Sequence, residues 1–426
     1  MKPLTVPPVG AVAILAAGKG TRMRSPLPKV LHPLCGRPMV DWVLDLAGGL
    51  SPERTLLVVG DSAAEVGQRA GESAEVVVQE PQLGTGHALQ VCGASLEGLT
   101  GSVVVLYGDM PGLRPETLAA LVAARPEGGA AMLTALLDDP TGYGRVIRGD
   151  GGGVRRIVEQ RDAAPDELAV REINMGVYAF PAERLPELLG RLDNDNAQGE
   201  YYLTDVISML VEEGRDVRAV PVEDAREACG VNTLSQLSEA RAVIQERILE
   251  EHLAAGVLIE DPATTYIDHG VEIGAGTHVL PCTVIRSGVR IGSGCEVGPF
   301  TQLRVGTVLD DGAEVGNFTE CKQAHLGSGV KAKHLSYLGD VSIGRGTNIG
   351  AGTIVANYDG VAKHKTVIGE DAFVGSGSVL IAPLQVGEGA TTGGGAIVTR
   401  NSEVGPGEVW VGVPARPLPP REDSGD

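Results

Sequence analysis

The apolar residues of the first half of the chain form short runs that are separated by longer segments of mixed polarity. Such runs are typical of strands buried on both faces of a mostly parallel α/β sheet, because helices cover both faces. Ligands of these sheets bind beyond the carboxyl ends of the strands, so we expect a site at that edge. The predicted strands are Val12–Leu15, Thr55–Val59, Glu75–Gln79, Val103–Tyr107, Ala131–Leu136 and Gly176–Phe180.

The spacing of apolar residues changes in the second half. Over residues 233–255 they recur at three-, four- and five-residue steps among charged residues, which predicts one amphipathic linker helix. From Ile267 through Ile273 to Val398 a mostly apolar position returns every six residues, with two slips of one residue and one gap of thirteen. A six-residue repeat predicts a β-helix, in which each repeat is a short strand and a turn that glycine permits. The gap, residues 356–367, is expected to be a loop outside the coils.

These patterns divide the chain into four segments. The tail is rich in proline and then acidic, so we expect it to be disordered. Known hexapeptide repeats form triangular coils with cores of small aliphatic residues, which agrees with 60 glycines and only 3% aromatic residues. The predicted segments are an α/β domain with a Rossmann-like, mostly parallel sheet (1–232), a linker helix (233–255), a left-handed parallel β-helix of hexapeptide repeats (256–413) and the tail (414–426).

Charge and cysteine usage exclude several classes of function. The formal net charge of −20, without a segregated basic patch, disfavours nucleic acid and membrane surfaces as partners. The six cysteines include no C-x-x-C pair, so neither a zinc site nor a redox dithiol is indicated, and free thiols are expected. The apolar stretch near the start is too short for a membrane span and lacks signal-peptide features. We therefore expect a cytoplasmic protein.

A glycine-rich turn follows the first predicted strand, in the string LAAGKGTRM at residues 15–23, with Pro28-Lys29 soon after. Glycines let backbone N–H groups approach phosphates closely, and Arg22 and Lys29 can neutralise a triphosphate. The string is neither a G-x-G-x-x-G nor a G-x-x-x-x-G-K-[ST] loop, which disfavours dehydrogenases and P-loop enzymes. It resembles the signature of sugar-1-phosphate nucleotidylyltransferases.

Further strings carry the same resemblance: QLGTGHA, YGD, GYGR, VEQRD, INMGVY, NAQGEYYLTD and GVNT. The reaction it implies is attack of a sugar-1-phosphate on the α-phosphorus of UTP, with catalysis by charge neutralisation through Arg22 and Lys29. Asp109 and Asn232 are the implied Mg²⁺ ligands. The implied contacts with UTP and its sugar-nucleotide product are Leu15, Ala16, Ala17, Gly18, Lys29, Gln79, Gly84, Thr85, Tyr107, Gly108, Asp109, Gly144, Glu159, Asn174 and Asn232.

The repeat region carries a second set of strings: PFTQLR, VGNFTECK, KAKHLSYLGD, NIGAGT and ANYDG. Together the two halves resemble, from Ala11 to about Arg400, the bifunctional N-acetylglucosamine-1-phosphate uridylyltransferase/glucosamine-1-phosphate N-acetyltransferase family. The resemblance implies a homotrimer through the β-helix, with His334 as general base for the amine. Implied contacts with the acceptor sugar phosphate are Arg304, Lys322, Tyr337 and Asn348, and those with acetyl-CoA are Ala351, Asn357, Tyr358, Ser376 and Gly394.

The chain departs from the family pattern at two positions. Gly412 stands where relatives place an arginine before the final Val-Pro, with Arg416 two residues beyond the proline, and Gly394 replaces the more usual alanine. Our leading interpretation is a bifunctional enzyme that uses glucosamine-1-phosphate, acetyl-CoA and UTP for cell-envelope synthesis. Two alternatives stay open: a nucleotidylyltransferase for another sugar with a regulatory or differently specific β-helix, and a non-catalytic sugar-nucleotide-binding scaffold.

Overall fold

The computed structural model describes residues 5–419 of the 426-residue chain. The chain forms two compact units, one up to Val243 and the other from Ile244. The division falls inside helix α9 (Leu234–Ala254), which occupies the predicted linker segment. Among the described residues, no helix has both the length and the apolar character that a membrane crossing requires.

The first unit alternates strands and helices. Its strands are β1 (Val9–Leu15), β2 (Pro33–Leu34), β3 (Arg37–Pro38), β4 (Arg54–Val59), β5 (Glu75–Val78), β6 (Ser102–Tyr107), β7 (Ala130–Leu136), β8 (Arg145–Arg148), β9 (Val154–Val158), β10 (Glu172–Pro181) and β11 (Val217–Pro221). Its helices, with α9, are α1 (Met39–Gly49), α2 (Ala63–Ala70), α3 (Thr85–Gln90), α4 (Gly93–Leu96), α5 (Pro115–Ala124), α6 (Pro165–Leu168), α7 (Leu185–Gly190) and α8 (Asp205–Glu212).

A mostly parallel sheet runs through this unit in the order β11-β7-β10-β6-β1-β4-β5, with β8 and β9 added beside β10. The prediction of this sheet is confirmed, and all six predicted strands are present. Within this order β10 is the exception, since it runs antiparallel to both β6 and β7, and the added strand β8 also pairs antiparallel with β10 and with β9. Both faces are covered: β1 directs Val12 and Ile14 into one core cluster and Ala11 and Ala13 into the other.

The carboxyl ends of three parallel strands meet at one edge of this sheet. Leu15, the last residue of β1, is the register partner of Tyr107, the last residue of β6. Gln79 follows β5, and its backbone N–H donates to the Val59 carbonyl at 2.8 Å. This is the edge at which the sequence predicts the nucleotide site.

The second unit is a stack of short strands, as the six-residue repeat predicts. Strands of successive coils pair in parallel, as in Ile267 with Ile285 and Ile285 with Leu303. The strands are β12 (Leu258–Ile259), β13 (Tyr266–Ile267), β14 (Glu272–Ile273), β15 (His278–Val279), β16 (Val284–Ile285), β17 (Arg290–Ile291), β18 (Glu296–Val297), β19 (Gln302–Leu303), β20 (Val308–Leu309), β21 (Glu314–Leu326), β22 (Lys331–Ile343), β23 (Asn348–Ile349), β24 (Ile354–Ala356), β25 (Thr366–Ile368), β26 (Phe373–Val374), β27 (Val379–Ile381), β28 (Leu384–Val386), β29 (Thr391–Thr392), β30 (Ile397–Val398), β31 (Glu403–Val404), β32 (Val409–Gly412) and β33 (Ala415–Pro417).

The repeat positions point into the coils, and burial confirms this from Ile267 to Val398, with Ile273 only half-buried. The slips in the sequence correspond to shorter coils: the register partners Glu314 and Lys331 lie 17 positions apart, whereas Glu296 and Glu314 lie 18 apart. The shorter coils contain the two long strands β21 and β22, which pair in parallel and each continue around a corner of the coil.

The gap in the repeat is a loop between β24 and β25, as predicted, closed by an isolated bridge between Tyr358 and Lys363. The predicted disordered tail is partly ordered, because Ala415–Pro417 form β33 and pair antiparallel with β32. The proline of this segment, Pro417, is the register partner of Trp410, and the next residue continues the pairing, since the Leu418 N–H donates to the Val409 carbonyl at 2.6 Å. Residues 420–426 of the predicted tail lie outside the described residues.

Candidate active sites

A cavity of about 310 Å³ lies at the carboxyl edge of the sheet in the first unit. Ten of the residues predicted to contact UTP line it: Leu15, Ala16, Ala17, Gly18, Lys29, Gln79, Gly84, Thr85, Tyr107 and Asp109. Gly108 supports the wall instead, since its backbone N–H donates to the Leu15 carbonyl at 3.0 Å. The remaining predicted contacts lie beside the cavity.

The two glycines of the turn serve different purposes. Gly20 has a φ of 59°, and a Cβ there would lie 2.7 Å from the Lys29 Cβ, so glycine is needed both for the backbone and for the approach of Lys29. Gly18 is different, because a Cβ there would meet no heavy atom of residues 5–419 within 4 Å. The space beside Gly18 is therefore left open on the cavity side, as a phosphate-binding turn requires.

Four predicted residues converge on one point of the cavity rim. The Lys29 ammonium forms an ion pair with Asp109 and donates to Asn232 Oδ1 at 3.1 Å, while Arg22 donates to the same oxygen at 3.0 Å. The side chains of Lys29 and Asp109 are only 11% and 15% exposed. A carboxylate and an amide oxygen thus both contact the Lys29 ammonium, and oxygens of these two kinds are ligands that suit a hard divalent metal.

The metal would take few protein ligands at this point. Within the described part of the chain, no group of three or more His, Cys, Asp or Glu side chains could hold a metal ion. Asp109 and Asn232 therefore fit a metal that fills the rest of its coordination shell with phosphate oxygens and water, as Mg²⁺ commonly does.

The predicted sugar contacts form a second group next to the cavity. The Asn174 backbone N–H donates to the Gly144 carbonyl at 2.9 Å, and the Glu159 carboxylate lies close to Gly144. Burial raises the pKa of Glu159, whose carboxylate accepts from the Thr204 hydroxyl at 3.5 Å. The group offers amide and carboxylate oxygens of the kind that bind sugar hydroxyls.

Tyr107 connects the two groups. Burial raises its pKa, and the charges of Glu159 and Asp109 raise it further, so the phenol stays neutral. Gly176, at a φ of 77°, leaves room for this ring, since a Cβ there would lie 2.5 Å from Tyr107 Cε2. The ring therefore lies near both Asp109, a predicted metal ligand, and Glu159, a predicted sugar contact.

Sequence reasoning did not single out four lining residues: Val30, Gln82, Ala88 and Glu200. Glu200 belongs to the run NAQGEYYLTD that the resemblance does quote, and a Cβ at Gly84 would lie 2.9 Å from its Cβ. The backbone of the next residue, Tyr201, holds the loop in place by donating to Leu83 and accepting from Gly86, both at 2.8 Å. This pairing is long-range, so no local pattern reveals it.

In the second unit, basic side chains gather on one face of the β-helix. Arg304 forms an ion pair with Glu320 at 2.6 Å. Contact with the Lys363 ammonium lowers the pKa of Lys322, and the charge of Arg304 lowers it further. Two ammonium groups in contact repel each other unless an anion lies between them, so this cluster is suited to a phosphate.

Tyr337 lies beside this cluster. A Cβ at Gly339 would come within 2.6 Å of the Tyr337 hydroxyl, so the ring lies flat over that glycine. Gly339 is in turn the register partner of Lys322. The structure therefore brings Arg304, Lys322 and Tyr337 together as predicted. It adds Lys363, a loop residue that is not among the contacts implied by the resemblance.

His334 lies at a neighbouring position of β22, as the register partner of Asn317. Its side chain is exposed, and neither ring nitrogen has a hydrogen-bond partner within the part of the chain that the structure covers. The imidazole is thus accessible to a substrate. Two predicted acetyl-CoA contacts lie in the loop: Asn357 is buried and donates to Asp340, while Tyr358 is 60% exposed.

The other predicted acetyl-CoA contacts follow one corner of the coils. The residues after Ser376 and Gly394 are tied to the preceding coil, since the Gly377 N–H donates to the Ala351 carbonyl and the Gly395 N–H to the Ser376 carbonyl, both at 2.7 Å. Among residues 5–419, a Cβ at Gly394 would come within 4 Å of the Ser376 carbonyl oxygen alone, at 3.5 Å, so the usual alanine also fits. The corner thus presents small side chains only.

Asn348 is not brought to the basic cluster within one chain. It pairs with Lys331 and Phe373, whereas Tyr337 pairs with Ile354 on the next strand of the coil. At the other departure from the family pattern, Gly412 ends β32, and Arg416 lies opposite Val411 in the terminal hairpin. A single chain therefore assembles the predicted acyl site only in part.

Comparison with known proteins adds two findings. The family model described as a MobA-like NTP transferase domain matches residues 12–199. Three curated relatives, each named bifunctional protein GlmU, are similar over most of the chain. That of Pelobacter propionicus is 44% identical, covering 88% of this chain and 90% of its own. Those of Geobacter metallireducens and Alkalilimnicola ehrlichii are 46% and 48% identical, covering 88% of this chain and 90% and 88% of their own.

Proposed function

The chain belongs to the family of the bifunctional protein GlmU, and from this membership we propose which of its residues carry the two reactions. The enzyme acetylates glucosamine-1-phosphate with acetyl-CoA and then couples N-acetylglucosamine-1-phosphate to UTP, releasing pyrophosphate. We assign uridylyl transfer to residues 1–232 and acetyl transfer to residues 256–413. The alternative activities that the sequence leaves open are not favoured.

Uridylyl transfer is assigned to the cavity of the first unit. The open backbone at Gly18 receives the phosphates, and Arg22 and Lys29 neutralise the negative charge that builds up as the sugar phosphate attacks the α-phosphorus. A divalent metal, which we propose to be Mg²⁺, would be held by Asp109 and Asn232 and would neutralise phosphate charge. The convergence of these four side chains on one point is the observation that carries the proposal.

We assign binding of the sugar in this reaction to Gly144, Glu159 and Asn174. The Gly144 carbonyl and Asn174 Oδ1 already accept from the Asn174 and Gly176 N–H groups, so each offers a sugar hydroxyl its second lone pair, and the Glu159 carboxylate offers a further acceptor. Tyr107 closes the wall between sugar and metal, and its neutral phenol avoids adding charge there. No general base is assigned in this unit, because positioning and charge neutralisation account for uridylyl transfer.

Acetyl transfer is assigned to His334 and the basic cluster. The amine nitrogen of glucosamine-1-phosphate attacks the thioester carbonyl carbon, and the imidazole of His334 takes the amine proton. The C–S bond then breaks, the imidazolium passes that proton to the departing sulfur, and coenzyme A leaves as its thiol. Lys322 and Lys363 bind the sugar phosphate, whose charge relieves their mutual repulsion. The small side chains at Ala351, Ser376 and Gly394 leave room for the pantetheine arm.

We propose that the acyl site is completed by a neighbouring copy in a homotrimer. Phe300 and Phe318 support this: they stack at 5.2 Å, remain 53% and 60% exposed, and have φ angles of 53° and 56°. An L-residue in the left-handed region costs about 1–2 kcal/mol, and later coils place glycines such as Gly377 and Gly395 there. Two strained, exposed phenylalanines are readily explained if a second copy of the chain covers them.

The test follows the two reactions separately in one mixture. The full chain is incubated with glucosamine-1-phosphate, acetyl-CoA, UTP and Mg²⁺, and free thiol and pyrophosphate are measured in parallel. His334→Ala should lower thiol release about 100-fold or more. Its pyrophosphate release from supplied N-acetylglucosamine-1-phosphate should stay unchanged.

Asp109→Asn is the matched variant, and we expect the reverse pattern from it. Each variant thus controls for the folding of the other. Loss of both activities in either variant, or of neither, would contradict the assignment of the two reactions to separate sites.

A further inference from the structure

The Gln79 side chain is held in one orientation at the wall of the nucleotide cavity. Gln79 is only 4% exposed and lines the cavity directly after β5. Its Nε2 lies 2.9 Å from the Gly84 carbonyl oxygen and 3.2 Å from Nδ1 of His87. A carbonyl oxygen can only accept, so the amide nitrogen, and not the amide oxygen, must face Gly84.

This orientation also determines the tautomer of His87. Both Nε2 hydrogens of Gln79 are donated, one to Gly84 and one to the imidazole, so Nδ1 of His87 must be the unprotonated, accepting nitrogen. The ring is half-buried, with its centroid 6.2 Å from that of Tyr201. His87 is therefore held where it can accept from the amide.

The consequence concerns the other end of the amide. Oε1 of Gln79 accepts no hydrogen bond from any described residue, and it is not sealed away from the cavity. A fixed acceptor in a nucleotide cavity pairs with a base that presents a ring N–H. Uracil carries such a donor at N3, whereas cytosine carries a lone pair at N3, which would face the lone pairs of Oε1.

We propose that His87 is a positioning residue that sets the preference of the cavity for uracil over cytosine. It acts through Gln79, by accepting the second amide hydrogen and so holding Oε1 toward the base. This inference rests on the proposed use of UTP and concerns how the base is read. Without an acceptor at position 87, one amide hydrogen of a buried side chain has no partner, and the amide rotates to find one.

The expected effect is a loss of selectivity. One mispaired buried hydrogen-bond group changes an equilibrium about 10- to 100-fold, so the ratio of kcat/KM for UTP over CTP should fall by about that factor in His87→Phe. Phenylalanine keeps a ring beside Tyr201 and removes both imidazole nitrogens, the Nδ1 acceptor among them. His87→Asn places an amide oxygen near the position of Nδ1, so the ratio should return to within about threefold of that of the wild-type chain.

The experiment measures kcat and KM for UTP and CTP, and their dissociation constants by calorimetry, in the wild-type full chain and both variants. The change should appear in KM and in the dissociation constant, with kcat for UTP retained, because His87 acts through Gln79 and is not among the residues that line the cavity. An unchanged UTP-to-CTP ratio in His87→Phe overturns the inference, as does an equal loss in His87→Asn.

Failure of the proposed function has a separate signature. A wild-type chain that binds UTP selectively over CTP but releases no pyrophosphate contradicts the proposed reaction and leaves the base-reading role standing. A wild-type chain that turns over both nucleotides equally overturns the role of His87 and leaves the reaction standing.

Discussion

Exchanging each of the two turn glycines for alanine separates the role of the backbone from the role of the ligand. At Gly20 the φ of 59° costs an L-residue about 1–2 kcal/mol. The new Cβ would also lie 2.7 Å from the Lys29 Cβ, where ordinary contacts begin at 3.4 Å, so Lys29 must move by about 0.7 Å. We expect Gly20→Ala to lower the free energy of unfolding of the first unit by about 1–3 kcal/mol.

Gly18→Ala is the matched control. The space beside Gly18 is open, so the free energy of unfolding should change by less than about 0.5 kcal/mol. Both variants should lose pyrophosphate release, Gly20→Ala through the displaced Lys29 and Gly18→Ala because the new methyl group occupies the approach of the phosphates.

Thermal unfolding of the full chain measures the stability difference, which corresponds to about 2–4 °C per kcal/mol for a unit of this size. Pyrophosphate release measures uridylyl transfer, and thiol release, which should stay at its wild-type level, reports on the second unit. The reasoning is refuted if Gly20→Ala is as stable as the wild type, or if Gly18→Ala is destabilised by more than Gly20→Ala.

Three further outcomes are expected. Burial raises the pKa of Asp205 to about 6, so the folded state binds more protons than the unfolded state between about pH 4 and 6, and stability falls as pH rises through that window. Asp205→Asn should remove this loss, which differential thermal unfolding at pH 4.5 and 7.5 would detect. Lys363→Met should raise the KM for glucosamine-1-phosphate about tenfold in the thiol assay, whereas Lys365→Met should not; equal effects would remove Lys363 from the phosphate site. Replacing Phe300 and Phe318 together by glycine should leave the coil folded, because glycine relieves the backbone strain, but shift sedimentation toward the monomer; an unchanged trimer would contradict the proposed interface.

The β-helix could be predicted from the sequence because its period is local: each coil repeats the same step, and burial from Ile267 to Val398 follows it. Strand direction in the sheet could not be predicted in this way. The antiparallel direction of β10 depends on the connections that lead into it. These connections produce no regular spacing of apolar residues in the sequence. Strands β8 and β9 were missed because Arg145–Arg148 and Val154–Val158 interleave arginines with their apolar residues.

The residues of the candidate sites also divide into those that the sequence could predict and those that it could not. Residues beside distinctive strings, such as Lys29 and Asp109, could be placed by resemblance, and the structure brings them together. Lys363 and His87 could not, because the significance of each depends on a distant partner. The lysine matters only through its contact with Lys322 across the loop, and the histidine only through the amide of Gln79.

The terminal hairpin of β32 and β33 bears on how such a stack of coils avoids polymerisation. A parallel coil presents backbone donors and acceptors at its last rung, and these can template another chain in the way that an exposed sheet edge seeds fibres. By turning back antiparallel, Ala415–Pro417 occupy the free edge of Val409–Gly412 with the chain's own backbone. The hairpin thus blocks the addition of a further strand on that side. Shortening it would expose unpaired backbone groups that promote self-association.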